Sequence, residues 1–472
     1  MNPLDYYNTI PIISLIVSIL LLIIIEACAK GKTGLIFICS ICLVGINLSI
    51  TYFQFDVTGK AFNDMLNITK LSHLLTMALL SGLLITILFS KNYLSKVGYN
   101  FGEFYILLFC SFSGMLLMIT ANDLIIVFLS VELMSIPFYI LAGFFRKRLK
   151  SNEAALKYFL LGAFATGFLL YGLALIYGVS GTTNISIISE KLPTIKGDII
   201  FIIGLGLVLI GISFKIAAFP FHNYAPDVYD GAPTTVSGLF SSVGKASVFG
   251  LLVIISSLLI DKEILKLRDT LIIISVASML FGSVIALVQK NIKRMLAYSS
   301  ISHAGYILIG IITHTAYGFS AVIFYSIVYI FMQVAAFGIV SIIENEDGDR
   351  IKLDDYYGFG KNNPVIAFFL AIIMFSLAGI PPFGGFFAKY YIFMAAVKAD
   401  LLWLAFIGAL VSVISVYFYL NVIQAIYFKT SENMFTVKIK SPEIIALILS
   451  TLIIILAGFK PNTLIEAIYS FF

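Results

Sequence analysis

An all-α polytopic membrane protein of about 14 transmembrane helices, with two inverted five-helix repeats that each contain a broken helix, is the fold class this sequence predicts. Three observations carry that reading. Of the 472 residues, 60% are hydrophobic and only 12% charged, with a mean hydropathy of +1.03; no soluble domain could bury so much apolar surface. The apolar residues fall in runs of roughly 18 to 25 without strict alternation, and because lipid offers backbone groups no partner, such runs must be helices. Two runs are too long for one straight crossing and contain prolines, as in helices broken inside the membrane around ion sites.

In chain order the spans are 10–28, 33–53, 71–90, 103–121, 123–145, 154–179, 198–228, 233–260, 269–289, 293–313, 317–343, 363–398, 401–428 and 442–460. The first three make residues 1–100 a plain N-terminal helical unit. Glu26, near the end of the first, and His73, at the start of the third, read as interfacial, since side chains at helix ends can reach the headgroups. Asp123 suits an N-cap for the span it opens. Glu132 lies about ten residues further in, roughly 15 Å deep, with apolar neighbours on every side. A midplane carboxylate is better explained by an ion or proton route than by a protonated group joining two helices.

After a polar loop at 181–198 comes the stretch Gly211–Ser247, which holds Lys215, Pro220, His222, Asp227, Tyr229, Asp230 and Lys245. Lys215 precedes Pro220 by five residues within apolar sequence, and Lys245 lies well inside the next span. An ammonium at bilayer depth costs roughly 2.5–3.5 kcal/mol, so each needs a partner or water. His222, at the helix break, is a candidate proton relay, with a structural hydrogen-bonder as the competing reading. The serines and glycines around Lys245 allow close helix approach. In the span from 293, Lys290, Lys293 and Arg294 read as anchors at the cytoplasmic end and His303 lies about 13 Å deeper, again a relay or a structural group. Gln333 is the one amide in the otherwise apolar, aromatic and small-residue span 317–343, and the acidic segment after it, from Glu344 to Gly358, reads as a solvated loop; neither carries chemistry of its own.

Span 363–398 contains SLAGIPPFGGFFAKYYIF. Pro381 and Pro382 supply no backbone donors and Gly384 and Gly385 loosen the helix, so backbone groups are freed beside Lys389. This repeats the relation of Lys215 to Pro220. Both broken spans are the fourth of five, in residues 101–260 and 261–428, and five is odd, so the second set enters from the opposite face. Residues 429–472 add a final helix. With the amino terminus outside, 18 of the 30 Lys and Arg lie on the cytoplasmic side, 9 outside and 3 within spans, which sets the orientation. Both termini and loop 181–198 are then external, whereas Arg146–Lys150 and loop 344–361 are cytoplasmic. Asp5 and the lack of a basic run before the first apolar stretch argue against a cleaved signal peptide.

Other functions find little support. No basic patch is interleaved with aromatics, so nucleic acid is an unsuitable partner. The four cysteines lie in spans, and Cys39 and Cys42 lack the second pair or histidine of a metal site. No GxGxxG fingerprint, iron–sulfur cysteine cluster or haem ligation is apparent, so redox chemistry would have to sit elsewhere.

Four blocks, VELMSIPFYIL, FKIAAFPFHNYAPDVYDGAPTTVSGLFSSVGKAS, RMLAYSSISHAGY and SLAGIPPFGGFFAKYYIF, give the chain, over essentially its whole length, a resemblance to the antiporter-like subunits of proton-pumping NADH:quinone oxidoreductase, respiratory complex I, and of cation/proton antiporters. The resemblance implies that Glu132 and Lys215 form a charge pair, Lys245 is a central lysine and Lys389 a terminal one. A lysine at the last position and an ending soon after the final span suit the subunit N type better than the M or L types. It implies a translocase subunit without a cofactor of its own, with NADH, FMN, iron–sulfur clusters and quinone on partner subunits. Implied partners are a neighbouring antiporter-like subunit, small helical subunits, the lipid bilayer and, indirectly, the quinone pool, in the inner or plasma membrane of a prokaryote. A stand-alone or multisubunit sodium/proton exchanger is the competing reading. A passive structural subunit is the third, disfavoured because four midplane ionisable residues would be costly without a use.

Overall fold

Hydropathy accounts for most of the chain's helices. The structure, a computed structural model, describes residues 3–29, 31–259, 265–430 and 435–472. Among these, eleven helices are long and apolar enough to cross a membrane and three shorter apolar ones accompany them, which together supply the 14 crossings. In chain order the helices are α1 (Pro3–Asn8), α2 (Ile10–Cys28), α3 (Thr33–Phe53), α4 (Lys70–Val97), α5 (Glu103–Met118), α6 (Leu124–Ala142), α7 (Leu149–Ser180), α8 (Ile185–Ile195), α9 (Ile199–Lys215), α10 (Ala225–Gly231) and α11 (Thr234–Leu239). A π-helical turn, Phe240–Gly244, joins α11 to α12 (Lys245–Leu259). Then follow α13 (Leu265–Leu287), α14 (Ile292–Ile312), α15 (Ala316–Ile343), α16 (Phe359–Asn362), α17 (Pro364–Ala378), α18 (Gly384–Lys398), α19 (Leu402–Tyr427), α20 (Ser441–Phe459) and α21 (Pro461–Tyr469).

Local chemistry sets the ends of several helices. Asp123, in extended conformation, accepts the Ile125 N–H at 2.8 Å and is the N-cap of α6, as its position in the sequence suggests. Thr69 and Ser72 form a capping box at the start of α4, and Gly98 ends that helix in the left-handed region, where a residue without Cβ carries no steric penalty. Asn291 caps α14. Helix α15 is predominantly apolar all round, and the part of it that would cross the membrane is wholly buried. A helix hydrophobic all round belongs in the centre of a bundle, and α15 packs against α4, α11, α12, α14, α17, α18 and α20.

Both predicted breaks are present. Helix α9 ends at Lys215 and the crossing resumes with α10; α17 ends at Ala378 and resumes with α18. Each break is in the fourth crossing of a five-crossing set, α5, α6, α7, α9–α10, α11–α12 and α13, α14, α15, α17–α18, α19. The loops join in two groups. Leu66 bridges to Ala121 and Asp123 to Asn184, while Asn291 bridges to Lys352 and Arg148 lies 3.7 Å from Glu344. Alternating crossings require this grouping.

Three expectations need correction, and one connection adds a feature of its own. The loop at 181–198 contains a helix, α8, started by Asn184, whose side chain accepts the Ile187 N–H. Loop 54–70 holds a small antiparallel hairpin, β1 (Gly59–Ala61) with β2 (Leu66–Ile68). Lys293 is no surface anchor: it is buried and donates to the Ala232 carbonyl at 3.1 Å, at the end of α10. Glu344 is not solvated but buried. Lys262, one of the nine positives expected on the external side, lies outside the described residues.

Candidate functional site

The break in the first repeat leaves Lys215 at the last turn of α9. Its Nζ donates to Ser135 Oγ at 2.7 Å and to Tyr139 OH at 3.2 Å, both on α6, and it is 6% exposed. Ser135 and Tyr139 follow Glu132 by three and seven residues, hence on the same face of α6. The expected contact with Glu132 takes a different form: the two make no direct ion pair, and Glu132 Oε1 is buried without a hydrogen-bond partner. The hydroxyls one and two turns along α6 hold the ammonium in its place. At the break, the Phe214 carbonyl accepts from Tyr224 OH at 2.8 Å, satisfying a helix-end acceptor that would otherwise be an orphan.

Lys245 is 1% exposed and directly follows the π turn. One extra residue in a turn rotates everything beyond it, and such turns are frequent at functional sites. Nζ donates to both the carbonyl and the hydroxyl of Ser300 on α14, each at 3.0 Å. One turn further along α14, His303 is held at both nitrogens: Nδ1 lies 2.6 Å from Tyr325 OH and Nε2 3.0 Å from Tyr419 OH. Its ring also packs against Tyr329, with centroids 4.9 Å apart.

In the second break, Lys389 Nζ donates to the Ala378 carbonyl at 2.9 Å, to Ser412 Oγ at 2.8 Å and to Ser415 Oγ at 3.4 Å. Ala378 is the last residue of α17, so a carbonyl freed by the break becomes the lysine's acceptor. Glycine is required around this turn because a Cβ on Gly385 would lie 1.9 Å from the Ser376 carbonyl, and one on Gly458 of α20 at 1.9 Å from that of Pro382. Ser415 and Tyr419 are one turn apart on α19, so that helix links Lys389 to His303. A second link is Tyr306, one turn beyond His303, whose ring centroid lies 5.2 Å from Lys389 Nζ.

The arrangement therefore joins Lys245, Ser300, His303, Tyr419, Ser415 and Lys389 across α12, α14, α19 and α18. Between Lys215 and Lys245 the neighbours are aromatic: Phe138 packs on Phe240 at 4.3 Å, and Phe240 on Tyr158 at 5.6 Å. His222 stays apart from this row, stacked on Phe219 at 5.4 Å with Nδ1 buried and unpartnered. Sequence reasoning missed Ser135, Tyr139, Ser300, Tyr325, Tyr419, Ser412 and Ser415. The helical spacing of Ser135 and Tyr139 from Glu132 was the available signal for two of them; the others are identified only by packing between distant helices. Each lysine is met by neutral acceptors, and no carboxylate is within ion-pairing reach of any of them among the described residues. Such groups can accept and release protons without breaking a strong ion pair.

Residues 121–415 match the family model described as "NADH:quinone oxidoreductase/Mrp antiporter, TM". The chain is 42% identical over 473 residues to NADH-quinone oxidoreductase subunit N 1 of Chloroherpeton thalassium, covering 98% of this chain and 97% of that one. A chain in the structure of respiratory complex I from Thermus thermophilus superposes with a TM-score of 0.84 at 28% identity, covering 97% of this chain and 99% of that one. A chain of the Mrp complex from Dietzia sp. reaches a TM-score of 0.87 at 21% identity, with 98% and 96% covered, a likeness of fold alone. With full-length similarity at this level to a subunit of an enzyme complex, the chain belongs to the NADH-quinone oxidoreductase subunit N family of antiporter-like membrane proteins.

Proposed function

We propose that this chain translocates protons across a prokaryotic inner or plasma membrane as a non-redox subunit of an NADH:quinone oxidoreductase, driven by quinone reduction on partner chains. The observation that carries the reading is the row of buried lysines bonded to hydroxyls and helix-end carbonyls in place of carboxylates. A proton passes from Lys215 to Lys245, through Ser300 and His303, and on to Lys389 for release outside. Tyr306 OH, Tyr329 OH and Gln333 Oε1, buried without hydrogen-bond partners, stand beside this row, and polar atoms of this kind are usually satisfied by ordered water.

Glu132 is the switch in this proposal. A carboxylate close to an ammonium favours the charged form, and its withdrawal favours release. Ser135 is one turn from Glu132, about 4.5 Å along the axis, so a shift of one turn exchanges hydroxyl partners for the carboxylate. His222, within the break between α9 and α10, is kept in this proposal as a candidate relay. Cofactors and quinone belong to partner subunits, among them a neighbouring antiporter-like chain and small helical chains. Both termini face outside, because the Lys and Arg excess marks the other side as cytoplasmic.

The test is the proton-to-electron ratio of the assembled complex in liposomes. Lys245→Ala should lower it while electron transfer to quinone continues. An unchanged ratio would remove the subunit from proton transport. The competing exchanger predicts proton movement that depends on sodium and survives without the redox subunits.

A further inference from the structure

Glu344 follows the last residue of α15 and is 3% exposed. Its carboxylate accepts a short hydrogen bond from Thr234 Oγ1 and another from Tyr93 OH at 3.3 Å. Arg148 Nη1 lies 3.7 Å away, and Tyr93 OH accepts the Thr234 N–H at 3.2 Å. Lys96 is turned elsewhere: its Nζ donates to the carbonyls of Ser341, Ile342 and Glu344. On the outer side Glu344 lines a cavity of about 340 Å³ together with Arg148, Lys150 and Asp347. Lys150 and Asp347 are exposed, so this cavity opens to solvent, on the face with the basic loop Arg146–Lys150.

On the inner side, Thr234 is the first residue of α11, the segment that leads to Lys245. Thr234, Ser237 and Ser241 follow one another at three and four residues, along one face of the helix, and Lys245 comes next, directly after the π turn that holds Ser241. All are buried. Ser237 Oγ donates to the Tyr229 carbonyl and Ser241 Oγ to the Ser237 carbonyl, both at 2.7 Å, so each hydroxyl oxygen keeps acceptor capacity. Steps of three or four residues are about 4.5–6 Å along the axis, a gap that one bridging water spans.

We propose that Glu344 is a carboxylate through which this subunit takes up protons from the cytoplasmic side, entering the row at Lys245 beside the transfer from Lys215, and that Thr234, Ser237 and Ser241 conduct them to Lys245. The proposal rests on the proton-translocating reading above. A solvent proton binds the Glu344 carboxylate. The carboxyl group then gives its proton to the Thr234 oxygen while that hydroxyl releases its own proton inward. The last transfer converts the Lys245 amine to an ammonium, and Glu344 is again a carboxylate. Only O–H and N–H bonds change, and charge is conserved. A purely mechanical role, tying α4, α7, α11 and α15 together, needs the shape and hydrogen bonds of this side chain but not its proton.

Glu344→Gln separates the two, because the amide keeps the shape and an acceptor oxygen yet cannot carry a proton. In the assembled complex in liposomes, we expect Glu344→Gln to lower the proton-to-electron ratio toward the Lys245→Ala value, and Glu344→Asp to retain part of the wild-type value. A wild-type ratio in Glu344→Gln beside a lowered one in Lys245→Ala would overturn the uptake role and leave the translocating function standing. Wild-type ratios in both would overturn the function and this inference with it. If Glu344→Gln does not assemble, Thr234→Val and Thr234→Ser decide the matter. A lowered ratio in the valine variant alone supports the hydroxyl path, and equal ratios overturn it.

Discussion

Replacing Lys389 with methionine should leave the complex standing and stop proton movement through this subunit, lowering the ratio of the complex, and the geometry says why. The ammonium has three acceptors, the Ala378 carbonyl and the hydroxyls of Ser412 and Ser415. Ser415 Oγ already donates to the Ser412 carbonyl at 2.7 Å, so the group most harmed by the change is the carbonyl at the end of α17. A buried acceptor left without a donor costs about 1–3 kcal/mol. Against this, the substitution removes an ammonium whose burial costs roughly 2.5–3.5 kcal/mol, and methionine fills the space with an adaptable apolar chain. The two effects nearly cancel, so assembly and melting temperature should change little, by roughly 2–4 °C at most. The assay is the proton-to-electron ratio of purified complex in liposomes, beside its melting curve. A wild-type ratio in assembled Lys389→Met complex would refute a proton-carrying role, and loss of assembly would refute the energetic argument.

Three further outcomes follow from the same geometry. Glu132→Gln should cut pumping strongly and Glu132→Asp more mildly, whereas Lys215→Arg should also stop it, because a guanidinium does not release its proton at accessible pH; wild-type pumping by the arginine variant would end the proposed switch. Replacing both Pro381 and Pro382 with leucine should impair pumping in assembled complex, since a helix able to close over the break would take back the Ala378 carbonyl from Lys389; an unaltered ratio would show that the freed carbonyl is dispensable. Single cysteines placed in loop 181–198 and at the carboxy terminus should be labelled from outside, and those at Arg146–Lys150 from the cytoplasmic side, as the charge bias requires; the reverse pattern would invert the orientation.

Much of this architecture is legible in one dimension because the bilayer imposes a length and a composition on every crossing. The 14 spans, the two breaks and the lysines Lys215, Lys245 and Lys389 within the spans all follow from apolar runs interrupted by proline, glycine or charge. The boundaries are less well read: α7 begins at Leu149, not residue 154, and runs to Ser180, because its first turn lies outside the apolar run. The π turn before Lys245 has no signature in the run of serines and glycines that contains it. Glu344 looks like one acid among several in a loop, and only its closeness to Tyr93 and Thr234, 251 and 110 residues away, distinguishes it.

By itself, then, the sequence determines which residues are forced into the membrane and must be accounted for there: Glu132, Lys215, Lys245, His303 and Lys389. Their depth follows from counting along a helix, which is local geometry. Which group each one meets is decided only by the tertiary structure, since the choice depends on how helices far apart in the chain rotate against one another. That is why Lys215 is found on Ser135 and Tyr139 and not directly on Glu132, why His303 is held between Tyr325 and Tyr419, and why an acid from a loop ends up buried at the head of the helix that carries Lys245.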